Sequence, residues 1–412
     1  MFHSDDIDYI VTMKILLLEN ISTVAINLLK STGHEVVAFK TNIEDQLVVK
    51  ELHNTEIIGL RSRSQITKEI IEQCPNLKAI GCFCIGTNQV DIKHAQIKGI
   101  PVFNAPFSNT RSVAEMVIAE IIILCRNIHT RNAELHRNVW NKMANGSNEV
   151  RGKTLGIVGY GRIGSQLGIL AEGLGMNVLY YDIERKLSLG NAIECSSLNE
   201  LLSKSDIVSL HVPQTAQTKN MISQKELLTM KKGSKLVNAS RGNVIVIEDL
   251  VSALQSEHIA SVAIDVFPQE PKNNSEPFQS PLSQFDNALL TPHIGGSTIE
   301  AQENIGTEVG EKLIKYVSLG STIGSVNFPE SSLQRAKGSI LRISHIHKNT
   351  PGILEKINNI FAKNNVNISA QILQTEGEVG YALIDVPHAV DEHTMQELLS
   401  IPNTIDARII RF

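Results

Sequence analysis

From residue 154 the chain runs out of an apolar stretch, TLGIVGY, into Gly159-Tyr160-Gly161-Arg162-Ile163-Gly164, and then into the helix-length stretch RIGSQLGILAEGLG. A strand that feeds a helix through G-x-G-x-x-G leaves little choice of fold. Gly159 permits the tight turn, Gly161 lets the backbone approach a pyrophosphate, and Gly164 lets helix and strand pack closely. The free N–H groups at the helix start suit phosphate oxygens. The next apolar run, NVLYYD, ends in Asp182, eighteen residues beyond Gly164. A carboxylate there accepts hydrogen bonds from adenosine ribose hydroxyls and repels a 2′-phosphate, which favours NAD over NADP.

The surroundings extend the same pattern. DIVSLHVP, SKLVNAS, SVAIDVF and ALLTPHI follow as strand-length runs, each separated by a helix-length segment. Before them, KILLLEN, HEVVAF, EIIGLRSR, LKAIGCF and PVFNA alternate with helical stretches such as TKEIIEQC. Alternation at this spacing predicts α/β architecture with two doubly wound parallel sheets. A long apolar helix over 112–128 lies between the two series. Its role is open between a subunit contact and an internal core helix. The segment 321–339 is polar and loop-like, a plausible linker. Beyond it the pattern is β-α-β-β-α-β over about 75 residues, which predicts a small separate C-terminal domain.

Composition narrows the function. The 412 residues suggest two to three domains, and 42% apolar content is enough for real cores. A net charge of −5 and 4% aromatic content argue against a nucleic-acid partner and against an anionic membrane surface. The most apolar stretch, 116–125, is ten residues long and contains Glu120, too short to span a bilayer. Five cysteines, Cys74, Cys82, Cys84, Cys125 and Cys195, make an odd set that reads as reduced thiols in a reducing compartment. The leading dozen residues lack an apolar signal core and read as a loose extension of a cytoplasmic protein. His345 and His347 stand two apart, but no carboxylate or thiol cluster supports a metal site.

Three polar residues fall at the carboxyl ends of strands in the second series, where open α/β sheets bind ligands. They are Arg241 in NASRGN, Glu270 in DVFPQEP and His293 in LLTPHIGGS. Oxidation of a 2-hydroxy acid needs a cation for the carboxylate, a base for the hydroxyl proton and a group that tunes the base. Arg offers a bidentate fork. His titrates near working pH. A Glu beside it favours its protonated form.

Taken together, GYGRIG, LHVP, NASRG, DVFPQEP and TPHIGGST, with IGLRSRSQIT and PVFNAPFSNTRSVAE earlier, resemble the D-isomer-specific 2-hydroxyacid dehydrogenase family. The last segment resembles an ACT domain. The resemblance runs from about residue 14 to 412 and is closest to the branch that oxidises 3-phospho-D-glycerate to 3-phosphohydroxypyruvate with NAD, the first step of serine synthesis. It implies Arg241 as carboxylate binder, Glu270 as the partner of the histidine and His293 as acid/base. It also implies cofactor contacts from Arg162, Ile163, Asp182, Ala239, Ser240, Arg241, Asp265, His293, Ile294, Gly295 and Gly296, with Asp265 facing the nicotinamide amide. The family fold implies that a nucleotide domain, 109–296, is inserted into a substrate domain made of 1–108 and 297–330, with the ACT domain at 338–412.

For the substrate phosphate, Arg61 and Arg63 stand two apart after an apolar run. In an extended segment both side chains share one face, and two guanidinium groups suit a dianion. Lys142, beside Trp140, is a second candidate that the resemblance places at a subunit contact. In the ACT domain the turn from His347 to Gly352 joins strand to helix. The resemblance implies serine as ligand there, held by His347 and Asn349 of one chain and Asn367 of another, in a homotetramer under end-product inhibition. Two rival readings remain: a 2-oxoglutarate-reducing dehydrogenase, with Arg61 and Arg63 holding a second carboxylate, and a non-catalytic NADH-sensing co-repressor.

Overall fold

The computed structural model describes residues 12–271 and 275–412. The expected N-terminal extension lies almost wholly outside the described residues. The first apolar runs form β1 (Lys14–Leu17), β2 (Glu35–Ala38), β3 (Ile57–Leu60), β4 (Ala79–Cys82) and β5 (Val102–Asn104), parallel in the order β2-β1-β3-β4-β5. Every residue of β3 and β4 is buried, as befits strands covered on both faces. One face packs on Leu16, Ile58, Ile80 and Val102 with the local helices. The other takes Ile305, Val309, Leu313 and Tyr316 from the helix Ile299–Leu319.

The second series forms β6 (Thr154–Val158), β7 (Asn177–Tyr181), β8 (Ile193–Glu194), β9 (Ile207–Leu210), β10 (Ser234–Asn238), β11 (Ile259–Ile264) and β12 (Ala288–Leu290). All are parallel, in the order β12-β11-β10-β9-β6-β7-β8. The order reverses between β6 and β9, and that switch point opens a crevice at their carboxyl ends. The long helix Thr110–Arg126 packs Val113, Ala114, Val117, Ile121 and Leu124 into this sheet's core, so its buried stripe is internal. The exposed apolar side chains lie just beyond it, at Ile128, Leu135, Val139, Trp140 and Met143.

The last series forms β13 (Leu341–Lys348), β14 (Ala370–Glu376), β15 (Val379–Val386) and β16 (Thr404–Arg411), antiparallel in the order β14-β15-β13-β16. The helices Ile353–Lys363 and Glu392–Leu399 cover one face through Ile353, Ile357, Phe361 and Leu398.

Here the structure departs from the expectation of a loop-like linker over 321–339, whose first half is buried. The second face of this sheet is buried too, against the segment that follows Tyr316. Arg342 bonds both oxygens of Asp385, at 2.6 and 3.0 Å, and the carbonyl of Leu319. Tyr381 Oη donates to Gly320 O at 2.7 Å, and Arg408 lies over the Tyr316 ring. Phe328 packs with Ile346, Tyr381 and Leu383. Residues 320–331 are irregular yet mostly buried, because most of their polar groups are satisfied; the Ser331 hydroxyl is an exception. The Asn327 side chain accepts from Val102 N and donates to Ile100 O, and Thr322 Oγ1 donates to Pro329 O. By contacts the chain therefore divides into two units: residues up to Ser108 with Gln302–Phe412, and Asn109–Ala301.

Candidate active site

The glycine fingerprint sits where β6 meets the helix Arg162–Gly173. Gly159 has φ +91, and a Cβ there would lie 2.5 Å from the carbonyl oxygen of His211, just past β9. A Cβ on Gly164 would lie 2.3 Å from Gly159 O, while one on Gly161 meets nothing within 4 Å. Two glycines thus serve packing, and the third leaves open the approach that a pyrophosphate needs. Arg162 and Ile163 are the first two residues of the helix. Asp182 follows β7, and its carboxylate is already fixed: Oδ2 accepts from Tyr160 N at 2.8 Å and Oδ1 from Glu184 N at 3.0 Å. An oxygen with a second lone pair can still take a ribose hydroxyl. These features fit an adenine dinucleotide.

At the end of β10, Asn238 folds the chain back on itself. Its Oδ1 accepts from Ser240 N and Oγ, and its Nδ2 donates to Arg241 O. Ala239 is half-buried and Ser240 buried. A Cβ on Gly242 would lie 2.0 Å from the carbonyl carbon of Phe267, so the Arg241 loop presses directly on the loop that carries Glu270.

Glu270 Oε1 accepts from Phe267 N at 3.0 Å, and Oε2 lies 2.7 Å from His293 Nδ1. Burial alone would raise the Glu270 carboxyl. The bonds from His293 and Phe267 N and the charges of His293 and Arg241 outweigh it and hold the group below its ordinary value. His293 is raised, first by its hydrogen bond to Glu270 and then by the charges of Glu270 and Asp265, against burial and Arg241. His293 also has φ +54, a left-handed conformation that costs energy for a side chain of this kind.

Asp265 holds that conformation. It is 1% exposed, and its carboxylate accepts from Thr291 Oγ1 at 2.6 Å, Ile294 N at 2.9 Å and Gly295 N at 2.9 Å. The carboxylate expected to face a nicotinamide amide is thus braced against the histidine loop, and any amide contact would come on top of three bonds. Gly296 completes the loop, where a Cβ would strike the Asn109 side chain.

The other candidates lie elsewhere. β3 ends at Leu60 and the chain bends at Ser62 and Arg63, so the two-residue alternation argued for Arg61 and Arg63 does not hold. The bend is imposed by buried Glu19, whose carboxylate accepts from Arg63 N at 3.0 Å and Ser64 N at 2.7 Å. The Arg63 guanidinium turns toward it, at 3.8 Å. Gln89 Nε2 donates to Arg61 O at 2.6 Å, and the Arg61 guanidinium makes no bond among the described residues. Lys142 is exposed in an irregular stretch.

In the C-terminal sheet, His347 is 2% exposed, and its Nδ1 lies 3.1 Å from Nδ1 of His345. His345 Nε2 faces Thr404 Oγ1 and Leu398 O. Asn349 is exposed and bonds Gly377 O, and Asn367 is exposed just before β14.

Sequence reasoning missed Glu19, Gln89 and the bracing use of Asp265. Glu19 had a signal: like Arg241 and His293, it follows the carboxyl end of a strand.

Residues 118–295 match the model for the NAD-binding domain of D-isomer specific 2-hydroxyacid dehydrogenase, and residues 343–406 match an AHAS small subunit-like ACT domain. The chain is 55% identical over 401 residues to the D-3-phosphoglycerate dehydrogenase of Escherichia coli (strain K12), spanning 97% of both chains. It is 53% identical over 399 residues to that of Haemophilus influenzae, again over 97% of each. Among solved structures, D-lactate dehydrogenase from Aquifex aeolicus complexed with NAD and lactic acid superposes with a TM-score of 0.66 at 27% identity, over 77% of this chain and all of that one.

Proposed function

The chain belongs to the D-isomer-specific 2-hydroxyacid dehydrogenase family, and from that premise we propose that it oxidises 3-phospho-D-glycerate to 3-phosphohydroxypyruvate. It is an NAD-dependent oxidoreductase with a C-terminal ACT domain. The observation that carries the reading is the 2.7 Å Glu270–His293 pair placed with Arg241 on the nucleotide-binding sheet, in a chain more than half identical to enzymes named for this substrate.

Bound NAD supplies the hydride acceptor; Gly159 to Gly164 and Asp182 would hold it. The protein's own groups handle the proton and the charges. Glu270 accepts from His293 Nδ1–H, which leaves Nε2 as the atom that takes the substrate hydroxyl proton in oxidation and returns it in reduction. Arg241 binds the substrate carboxylate through a planar fork. The ionised Glu270 stabilises the imidazolium that forms. Arg61, whose guanidinium is unengaged, is the principal holder of the phosphate, with Arg63 and Lys142 as further contributors.

At the ACT domain the reading is a serine effector site formed by His347, Asn349 and Asn367 of the partner subunit, in a cytoplasmic homotetramer that feeds serine synthesis. Gly352, at φ +83, opens the helix Ile353–Lys363 beside Asn349, a turn suited to a carboxylate. Among the described residues no helix is long and apolar enough to cross a membrane.

The test is NADH consumption with phosphohydroxypyruvate, with and without L-serine. Turnover that serine suppresses supports both parts. Turnover indifferent to serine removes the effector reading alone. No turnover removes the substrate. Replacing Arg61 by Ala should reduce turnover of phosphohydroxypyruvate more than that of unphosphorylated hydroxypyruvate; equal losses would end the phosphate assignment.

A further inference from the structure

The catalytic loops occupy the carboxyl ends of the nucleotide-binding strands. The opposite ends of the same strands carry a second cluster that this chemistry does not use. A pocket of about 180 Å³ opens there, lined by Lys153, Asp206, Lys231, Lys232, Ser234 and Lys235 among others. Lys153 directly precedes β6, Asp206 directly precedes β9, and Ser234 and Lys235 begin β10. Four ammonium groups thus share one carboxylate, and that carboxylate is occupied. Asp206 Oδ1 accepts from Lys231 Nζ and Oδ2 from Thr154 N, both at 2.8 Å.

The remaining lysines, Lys153, Lys232 and Lys235, make no side-chain hydrogen bond or ion pair among the described residues. Lys235 is nevertheless only 8% exposed, and Ser234 only 3%, with its Oγ buried and unpartnered. The Lys235 ammonium lines the pocket unpaired, and the buried, unpaired Ser234 hydroxyl carries a desolvation cost that a bound acceptor would offset. The charges of Lys235 and Lys153 pull the buried Cys125 thiol down, against Asp206 and the burial that raises it. Cations around a concave, low-dielectric surface concentrate their field.

We propose that this pocket binds a phosphate-sized dianion, at a site separate from both the catalytic and the dinucleotide sites. A tetrahedral oxyanion offers enough acceptors for several lysines and the Ser234 hydroxyl together, which a carboxylate does not. The pocket has room for about six waters at roughly 30 Å³ each, enough for a phosphate group. The dinucleotide's own pyrophosphate is excluded by distance, because the fingerprint lies at the far end of β6, a five-residue strand about 16 Å long. The chemistry that holds the ion is the same for free phosphate and for the phosphate end of a small metabolite.

The experiment titrates inorganic phosphate into the full-length enzyme saturated with NADH, at fixed ionic strength in chloride, by calorimetry and by thermal melting. Arg61→Ala should lose at most a second, substrate-site event and keep the phosphate binding that the lysine variants remove. Lys235→Met should weaken that binding at least tenfold. Lys232→Gln, on the exposed rim where folding is not at stake, should weaken it several-fold. A parallel titration with glycerol 3-phosphate separates the sources: tighter binding than phosphate marks a metabolite site, and equal or weaker binding marks a site for the free ion. Phosphate affinity unchanged in both lysine variants would overturn the proposal. So would binding abolished by Arg61→Ala alone, which would assign the ion to the substrate site.

Discussion

Glu270 sets both the direction and the strength of His293. Its Oε2 selects the imidazole nitrogen that carries the proton, and its charge keeps the ring protonated to higher pH. Glu270→Gln removes that charge and leaves the burial that opposes protonation. On the proposed mechanism, reduction of the keto acid needs protonated His293, so in this variant the fall of kcat/KM with rising pH should begin at lower pH. The rate should drop by about 10²–10⁴-fold. A pH profile with the wild-type limb would refute the pairing. Glu120 is the opposite case. Burial, reinforced by the charge of Asp265, pushes it up to about 8, and neither oxygen has a partner. Between the ordinary carboxylate value of 4.5 and about 8, the native state keeps a proton that the unfolded chain has released, so stability falls as pH rises through that window. Glu120→Gln should abolish this slope. It should stabilise the protein at pH 7 by at most about 3 kcal/mol and leave it unchanged near pH 4, as read from denaturant melts at both pH values. Parallel curves for the two proteins would show that Glu120 is not held neutral.

At the scale of elements, the parts of the site legible in the sequence were those with a backbone reason to be there. The glycine fingerprint, Asp182 after β7, and Arg241, Glu270 and His293 in loops beyond strand ends could be placed because periodicity locates strand ends. What failed was the inference from polarity to exposure. Residues 320–331 look like a linker because they are polar, yet Asn327 and Thr322 spend that polarity on buried backbone groups. Arg61 and Arg63 look like one face of a strand, yet Glu19, more than forty residues earlier, gathers the amides of Arg63 and Ser64 and bends the chain. Contacts of that sequence separation leave no local pattern. Asn327→Ala would strand Val102 N and Ile100 O in a buried place. At roughly 1–3 kcal/mol for each unsatisfied group, the expected loss is about 2–6 kcal/mol in urea unfolding, and a loss below about 1 kcal/mol would mean the segment is not held by these bonds.

At the scale of the whole molecule, each of the two units has its own sheets and apolar clusters, and only one of them carries the dinucleotide fingerprint. Scanning calorimetry should therefore resolve two transitions. NADH at 100 times its Kd should add about 2.7 kcal/mol to the Asn109–Ala301 unit by mass action, while Asn327→Ala should lower the other. A single transition shifted equally by both would show one cooperative body. The discontinuity of the first unit also imposes an order in time. Its sheet is finished by residue 104, and the face formed by Ile15, Leu17, Ile57 and Phe103 is covered early by Ala25 and Leu29 of the helix Thr23–Ser31, but the rest of its cover is Ile305, Val309, Leu313 and Tyr316. The 193 residues of Asn109–Ala301 must be made in between. At about 5–20 residues per second, a ribosome leaves that apolar face only partly covered for roughly 10–40 s. During that interval the nascent chain is a natural client for a chaperone, and slow translation or truncation before residue 320 would yield an aggregating product rather than a smaller enzyme.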